Sequence, residues 1–239
     1  MSTPITILTR SELRVAARDG EQLLLTAGLP ILLLVFFSLV DVLPTGEVDA
    51  VDFLVPGVLS VALLSSGFVR LAIALGFDRS FGAISRYAVS PVKVTDFLGS
   101  RALAAALIAV IQIVVLFAIG ALLGWRPSLH PAFPIVIILA LIAFFGLGLA
   151  LGSITDGLRS LALANMIYIV LLLLSGVVVD LNELPGWLEA GSRLLPTTAA
   201  SELLRATTDG VAGEGSTWMV SAVWAGLGPI LALRTFRWR

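Results

Sequence analysis

The chain has 239 residues, of which 58% are hydrophobic and only 13% are charged, and its formal net charge is −1. Soluble proteins average about 25% charged residues, so this few charges cannot cover the apolar surface of a soluble domain. The chain has no cysteine, which excludes disulfides and thiolate metal sites. The sequence therefore predicts an all-α integral membrane protein.

The first predicted element, residues 1–21, is an amphipathic helix that lies on the membrane surface. Arg10, Arg14 and Arg18 recur every four residues and form one stripe on a helix, with apolar residues on the other side. A basic amphipathic helix of this kind is typical of the membrane interface. The alternative is a positively charged flank that only sets the membrane topology.

Six apolar segments follow that are long enough to cross a bilayer, since a spanning helix needs about 17 to 25 residues. They cover residues 23–40, 53–77, 102–125, 132–154, 161–179 and 217–233. Two short amphipathic helices are predicted within residues 184–205, where Pro196 ends one and starts the next. Whether this pair enters the outer leaflet or lies flat on it is open at this stage.

The distribution of Lys and Arg predicts the orientation. Eleven of these residues lie on the side of the termini and of the loop at 78–101, whereas the opposite loops hold only Arg126, Arg193 and Arg205. An excess of Lys and Arg marks the cytoplasmic side of a membrane protein. We therefore expect a multi-pass protein of the bacterial inner membrane with both termini in the cytoplasm.

The sequence lacks the residues of common catalytic sites. Lys93 is the only lysine and no glycine-rich loop precedes it, so the chain has no P-loop. His130 is the only histidine, which argues against histidine-based metal sites, hydrolases and proton relays. We expect that this chain has no catalytic residue, binds no metal or cofactor itself, and has no nucleic-acid partner.

Three polar residues inside the predicted spans are candidates for a substrate pathway. An arginine at the bilayer centre costs about 2.5–3.5 kcal/mol on insertion scales, so Arg70 either extends to the headgroups or faces a pathway. Gln112 and Asn165 either hydrogen-bond between helices or line the pathway.

Pairs of small residues predict close helix packing. Gly120 and Gly124 are four residues apart, as are Gly148 and Gly152, and Gly146 lies nearby. Such spacing lets two helix backbones approach each other, either within the chain or between subunits.

The loop at 78–101 carries a compound motif. An acidic residue and arginine precede a glycine, a short apolar and basic stretch follows, and a small residue stands before proline. In this chain the motif reads Asp78-Arg79-Ser80-Phe81-Gly82, Ile84-Ser85-Arg86-Tyr87 and Ser90-Pro91, with Leu184-Pro185, Trp187, Pro196-Thr197 and Leu204-Arg205 downstream. Together these features resemble the membrane subunit of ABC-2 type (type V) ABC exporters, the family of daunorubicin-exporter-like permeases and of polysaccharide and lipid-linked exporters.

The resemblance implies one transmembrane domain over residues 1–239 and a separate nucleotide-binding ATPase subunit that holds ATP and Mg²⁺. It also implies that a short coupling helix in the loop docks into a cleft on that subunit. Gly82 is then expected to allow the turn, Ile84 and Tyr87 to fill a groove, and Pro91 to stop the helix. The full set of expected coupling residues is Asp78, Arg79, Gly82, Ile84, Arg86, Tyr87, Ser90 and Pro91. The alternative is an ordinary basic cytoplasmic loop.

The expected function is that of a half-size permease. Two copies, or one copy with a similar partner, would enclose an apolar pathway in the membrane lipid and export an amphiphilic drug or lipid-like molecule. Two alternatives are open on the sequence. One is a secondary transporter or channel that works without ATP, and the other is a membrane scaffold that transports nothing.

Overall fold

The computed structural model describes residues 4–18, 28, 30–36, 38, 50–177, 181 and 184–238. Helices joined by short loops make up this part of the chain, which contains no strand. In chain order they are α1 (Pro4–Arg18), α2 (Ala50–Leu64), α3 (Arg70–Ser80), α4 (Ala83–Ala88), α5 (Val94–Leu122), α6 (Phe133–Ile154), α7 (Gly157–Leu173), α8 (Gly186–Ser192), α9 (Pro196–Thr208) and α10 (Gly215–Thr235). Residues 30–36 are also helical.

The central element is a long helix made of α2 and α3. A π-helical turn, Ser65–Val69, joins them, so that one helix runs without a break over Val51–Ser80. The hydroxyls of Ser65 and Ser66 donate to the carbonyl oxygens four residues earlier, both over 2.9 Å. Because most of this helix is apolar, its stable position is inside the bundle, and most of its apolar part is buried.

Among the described residues, four helices are long and apolar enough to cross a membrane. They are Val51–Ser80, α5, α6 and α10, whereas α7 is apolar but has only 17 residues. The first predicted span, 23–40, lies largely outside the described residues. The described part of the chain therefore establishes a helical membrane protein with four helices of spanning length.

Several predicted boundaries differ from the structure. The loop predicted at 78–101 is shorter, because α3 continues to Ser80 and α5 already begins at Val94. The fifth predicted span extends to residue 179, but α7 ends at Leu173 and Gly176 follows with a φ of +72°. The apolar sequence continues past Leu173, so hydropathy alone does not reveal this turn.

Glycines on α6 bring the central helix close. A Cβ added at Gly148 would lie 2.5 Å from the carbonyl oxygen of Phe68, and one added at Gly152 would lie 2.6 Å from that of Ala72. Gly146 faces the backbone of α10 in the same way. The small-residue spacing on α6 therefore serves packing inside the chain.

The two glycines of the second pair, Gly120 and Gly124, have different roles. Gly120 lies against the side chains of Trp125 and Val55, whereas Gly124 has a φ of +99° and nothing within 4 Å of an added Cβ. A residue with a side chain rarely adopts this φ. Gly124 therefore serves the turn after α5, and only Gly120 serves packing.

The helix α9 is part of the bundle and packs against α2, α6 and α10. The hydroxyls of Thr197, Thr198 and Ser201 donate hydrogen bonds over 3.3, 3.0 and 2.6 Å to carbonyl oxygens in the last turn of α7 and just after it. The last carbonyls of a helix have no partner within the helix. The α9 hydroxyls therefore satisfy carbonyl oxygens at the end of α7, and α9 is packed among the other helices of the bundle.

Candidate functional site

The short helix α4 follows the central helix after a tight turn. Phe81 ends α3, and Gly82 has a φ of +68°, which favours glycine. After α4, the Ser90 hydroxyl donates to the carbonyl oxygen of Tyr87 over 2.7 Å, and the exposed Pro91 comes next. Only one glycine turn therefore separates α4 from the central helix.

The inner side of α4 is anchored in the bundle. Ile84 is 2% exposed, and the ring of Tyr87 lies 5.0 Å from that of Phe97 at the start of α5. Phe97 in turn contacts Phe236 and Trp238 from the end of the chain, at 5.5 and 5.3 Å between ring centroids. Ile84 and Tyr87 were expected to fill a groove on a partner. The structure instead turns them inward, where they hold α4 to α5 and to the C-terminal segment.

The outer side of α4 is accessible. Phe81 is 76% exposed and Val89 is 90% exposed, so two large apolar side chains face outward here. We call these residues and their exposed neighbours the α4 surface. It comprises Phe81, Ser85, Arg86, Ala88 and Val89.

A single buried cation, Arg101, joins three helices beside α4. Its side chain is 6% exposed and its Nη2 atom forms ion pairs with Glu12 on α1, at 3.3 Å, and with Asp78 on α3. Its guanidinium also lies over the ring of Phe97, 4.7 Å from the centroid. Arg101 therefore ties the surface helix α1 to the central helix at the point where the chain turns into α4.

The charged residues singled out by the sequence separate into two groups. Asp78 is engaged by Arg101, and Arg79 donates from Nη1 to the carbonyl oxygen of Arg237 over 3.0 Å. Arg86 is exposed on the α4 surface. Asp78 and Arg79 thus hold the base of α4, and Arg86 is the basic group of this motif that is exposed beside Phe81.

Sequence reasoning missed the role of Arg101. It counted Arg101 only as one more positive charge next to the third span, because no local pattern shows which distant acid it will meet. The sequence predicts that the helix begins at residue 102, so it does not show that Arg101 lies inside α5, which begins at Val94.

The helix α1 packs against the start of α5. Ile5 lies 3.2 Å from a Cβ added at Gly99, and Glu12 pairs with Arg101. The contacts therefore advance about 10 Å along α1 but only about 3 Å along α5. Arg10 is exposed, as expected for a helix whose basic side faces outward.

The three pathway candidates differ in their exposure and in their place in the bundle. Arg70 is half-buried at the start of α3, just after the π-helical turn, and Gln112 is 5% exposed. Asn165 is exposed on α7 and its Nδ2 donates to the carbonyl oxygen of Leu161 over 2.9 Å. Asn165 therefore bonds within its own helix, and the interhelical bond considered for it is absent from the hydrogen bonds of the described chain.

The single histidine has a local structural role. The Nδ1 atom of His130 accepts a hydrogen bond from the backbone of Ala132 over 3.1 Å at the start of α6. Among the residues that the structure describes, no group of three or more His, Asp or Glu side chains could hold a metal ion.

The described helices and their apolar composition define a polytopic α-helical membrane protein with a short, anchored helix at one end. The sequence matches the ABC-2 type transporter family over residues 3–208, and the chain belongs to this family. The family supplies the membrane components of ABC transporters, which are generally non-catalytic and typically work with an ATPase subunit. No curated protein matches the chain.

Proposed function

We propose that this chain is the permease subunit of an ATP-driven exporter and that the α4 surface is the dock for a separate ATPase subunit carrying ATP and Mg²⁺. One observation carries the proposal: α4 is fixed to the bundle on its inner side, while Phe81, Arg86 and Val89 are exposed on its outer side.

The anchoring of α4 gives a mechanism for transmission. Ile84 and Tyr87 attach α4 to the bundle, and Arg101 attaches the end of the central helix to α1 and α5. A packed interior transmits displacement because it has little free volume. Movement of the ATPase against α4 would therefore move the central helix and α1 together.

We further propose six spans and a cytoplasmic location for α1, the α4 surface and the C-terminal segment, in the bacterial inner membrane. Contacts of Arg101 and of Phe97 gather these elements at one end of the bundle, which we call the α4 end. Positive residues concentrate there, as they do on the cytoplasmic side of membrane proteins.

Two copies of the chain would form the transport pathway, as in daunorubicin-exporter-like permeases. Support comes from α7, where Asn165 is exposed between large exposed apolar residues such as Met166 and Ile169. An amide in this position favours a second protein surface over lipid. The scarcity of charge favours an amphiphilic substrate. ATPase activity that responds to soluble sugars but not to amphiphilic drugs or lipids would contradict this assignment.

Affinity purification of the full chain from native membranes tests the proposal. We expect it to recover a nucleotide-binding protein in a complex whose mass corresponds to two permeases and two ATPase subunits. Phe81→Asp and Arg86→Glu change exposed residues and should reduce the recovered ATPase more than tenfold, the size of a loss of about 2 kcal/mol at an interface.

Arg159→Glu is the matched control, because Arg159 is a 79% exposed arginine outside the α4 surface. It should leave recovery of the ATPase unchanged. A chain that purifies without an ATPase and moves substrate without ATP would overturn the proposal and favour a secondary transporter.

A further inference from the structure

An apolar crevice opens between α5, α6 and α10 toward the α4 end of the bundle. Its volume is about 310 Å³, which is at the lower limit for sites that bind small molecules. The lining is Thr95, Leu98, Gly99 and Ala102 on α5, Ile142, Phe145, Gly146 and Leu149 on α6, and Pro229, Ala232 and Leu233 on α10.

Small residues shape the crevice. Ala102 and Ala232 have no long side chain to fill the space, and Gly99 and Gly146 let α1 and α10 pack closely against the lining helices. The close approach of α6 and α10 at Gly146 fixes the back of the crevice, because no side chain separates the two backbones there. The crevice is therefore built by helix packing and does not depend on a movable side chain.

The crevice has the shape and surface expected for a hydrocarbon chain. From Thr95 to Ala102 it extends about 10 Å along α5, at 1.5 Å per residue. Its rim includes Ile142 and Leu233, which are 39% and 49% exposed and so face the surrounding membrane. Thr95, at the start of α5, is the one polar side chain in the lining.

Positive charge gathers at the helix ends that line the crevice. Lys93 is the residue that caps α5, two positions before Thr95, and Arg234 lies in the last turn of α10, directly after Leu233. Both side chains are exposed. Asp96 is the only acid in residues 93–99 and 229–238, which also include Arg237, so the net charge of these two helix ends is positive.

We propose that this crevice binds an anionic phospholipid of the inner leaflet, with one acyl chain in the crevice and the phosphate beside Lys93 and Arg234. The apolar lining matches the chain, and the basic pair matches the headgroup, since each Lys or Arg near the surface strengthens binding of anionic lipid about fivefold. The site lies on α5, α6 and α10, so it is separate from the α4 surface and from Asn165 on α7.

Native mass spectrometry of the purified full chain tests the site, with dioleoylphosphatidylglycerol and dioleoylphosphatidylcholine as probes. We expect the wild-type chain to retain one phosphatidylglycerol molecule that resists gas-phase activation. Ala102→Phe fills the crevice and should remove this molecule. Leu103→Phe is the control, because Leu103 is 43% exposed and does not line the crevice, and it should retain the lipid.

Two further variants leave the packing unchanged and test the charge. The double substitution Lys93→Gln and Arg234→Gln should lower the preference for phosphatidylglycerol over phosphatidylcholine by about 25-fold, whereas Arg159→Gln should leave it unchanged. Equal retention of both lipids by the wild-type chain, or an undiminished adduct in Ala102→Phe, would overturn the proposal. The proposal would also be overturned if the Ala102→Phe variant retained its lipid but lost a second copy of the chain. Lipid retention is measured without the ATPase, so it stands or falls independently of ATPase docking.

Discussion

Arg101 places one positive charge between two carboxylates from different helices. Its side chain is 6% exposed, whereas Glu12 and Asp78 are each 32% exposed. A cation this deeply buried is unfavourable without partners, and it is retained here by two ion pairs and by the face of Phe97. The two acids meet water on one side, so their desolvation is only partial.

Arg101→Leu should therefore destabilise the protein by about 2 kcal/mol, below the 3–5 kcal/mol typical when one partner of a fully buried pair is removed. In a chain of this size that loss corresponds to a fall in melting temperature of about 4–8 °C. Thermal unfolding in mild detergent measures it. Arg101→Lys should restore part of the stability, because it keeps the charge but has a smaller head group.

Arg159→Leu is the matched control for Arg101. Arg159 pairs with Asp156, three residues earlier, at 3.4 Å but is 79% exposed, and exposed pairs within a helix contribute about 0.3–0.5 kcal/mol. Its melting temperature should remain within about 2 °C of the wild type. Equal effects of the two substitutions would show that Arg101 does not act through its buried ion pairs.

At the scale of the residue, the sequence predicts which amino acids belong to a turn or a short helix, but it does not predict which residues they contact. The run around Asp78 and Gly82 marks a turn and a short helix, and Gly82 indeed has a positive φ. The inward direction of Ile84 and Tyr87 depends on Phe97 and Phe236, which are distant in sequence. Local pattern could not reveal these contacts.

The helices α6 and α10 pack so closely that their contact is made largely by backbone. A Cβ added at Gly228 would lie 2.8 Å from the carbonyl oxygen of Ala143, and Gly146 faces Gly228 directly. Gly226, on the same helix, has nothing within 4 Å of an added Cβ. The glycines of α10 therefore differ in role although they are two residues apart.

Gly228→Ala should lower stability by about 1–3 kcal/mol, because a methyl group forces the two backbones apart. Gly226→Ala is its control, and it should be neutral or stabilising by up to about 1 kcal/mol, since alanine favours a helix more than glycine does. Melting temperatures of the two variants in the same detergent compare them. An equal loss in both would mean that helix propensity, and not the close contact, decides the effect.

At the scale of the element, apolar length predicts the helices of the core well and their ends less well. The fourth predicted span, 132–154, agrees with α6 within one residue. The third begins eight residues too late, because Val94–Arg101 contains charged and polar residues that are buried against α1. Hydropathy counts such residues as loop, and only packing shows that they are helical.

The whole molecule has two distinct ends. The ion pairs of Arg101 bring α1 to the end of the central helix that carries Asp78. The central helix has 30 residues, so Val51 lies about 45 Å away at the opposite end. Between α1 and α2 in sequence lie the helical residues 30–36. This arrangement agrees with a crossing between α1 and α2, and hence with the same side of the membrane for α1 and α4.

Because the chain has no cysteine, single introduced cysteines can test this topology without background labelling. Ala17→Cys on α1, Ser85→Cys on the α4 surface and Ser216→Cys at the start of α10 all replace exposed residues. A membrane-impermeant maleimide applied to intact spheroplasts should label only the Ser216→Cys variant, and lysis should make the other two reactive. Labelling of Ala17→Cys but not of Ser85→Cys in intact spheroplasts would mean that an odd number of crossings separates the two positions. The buried contact between Glu12 and Arg101 could not then form in the membrane. Both the proposed transmission of movement from α4 to α1 and the proposed six spans would be wrong.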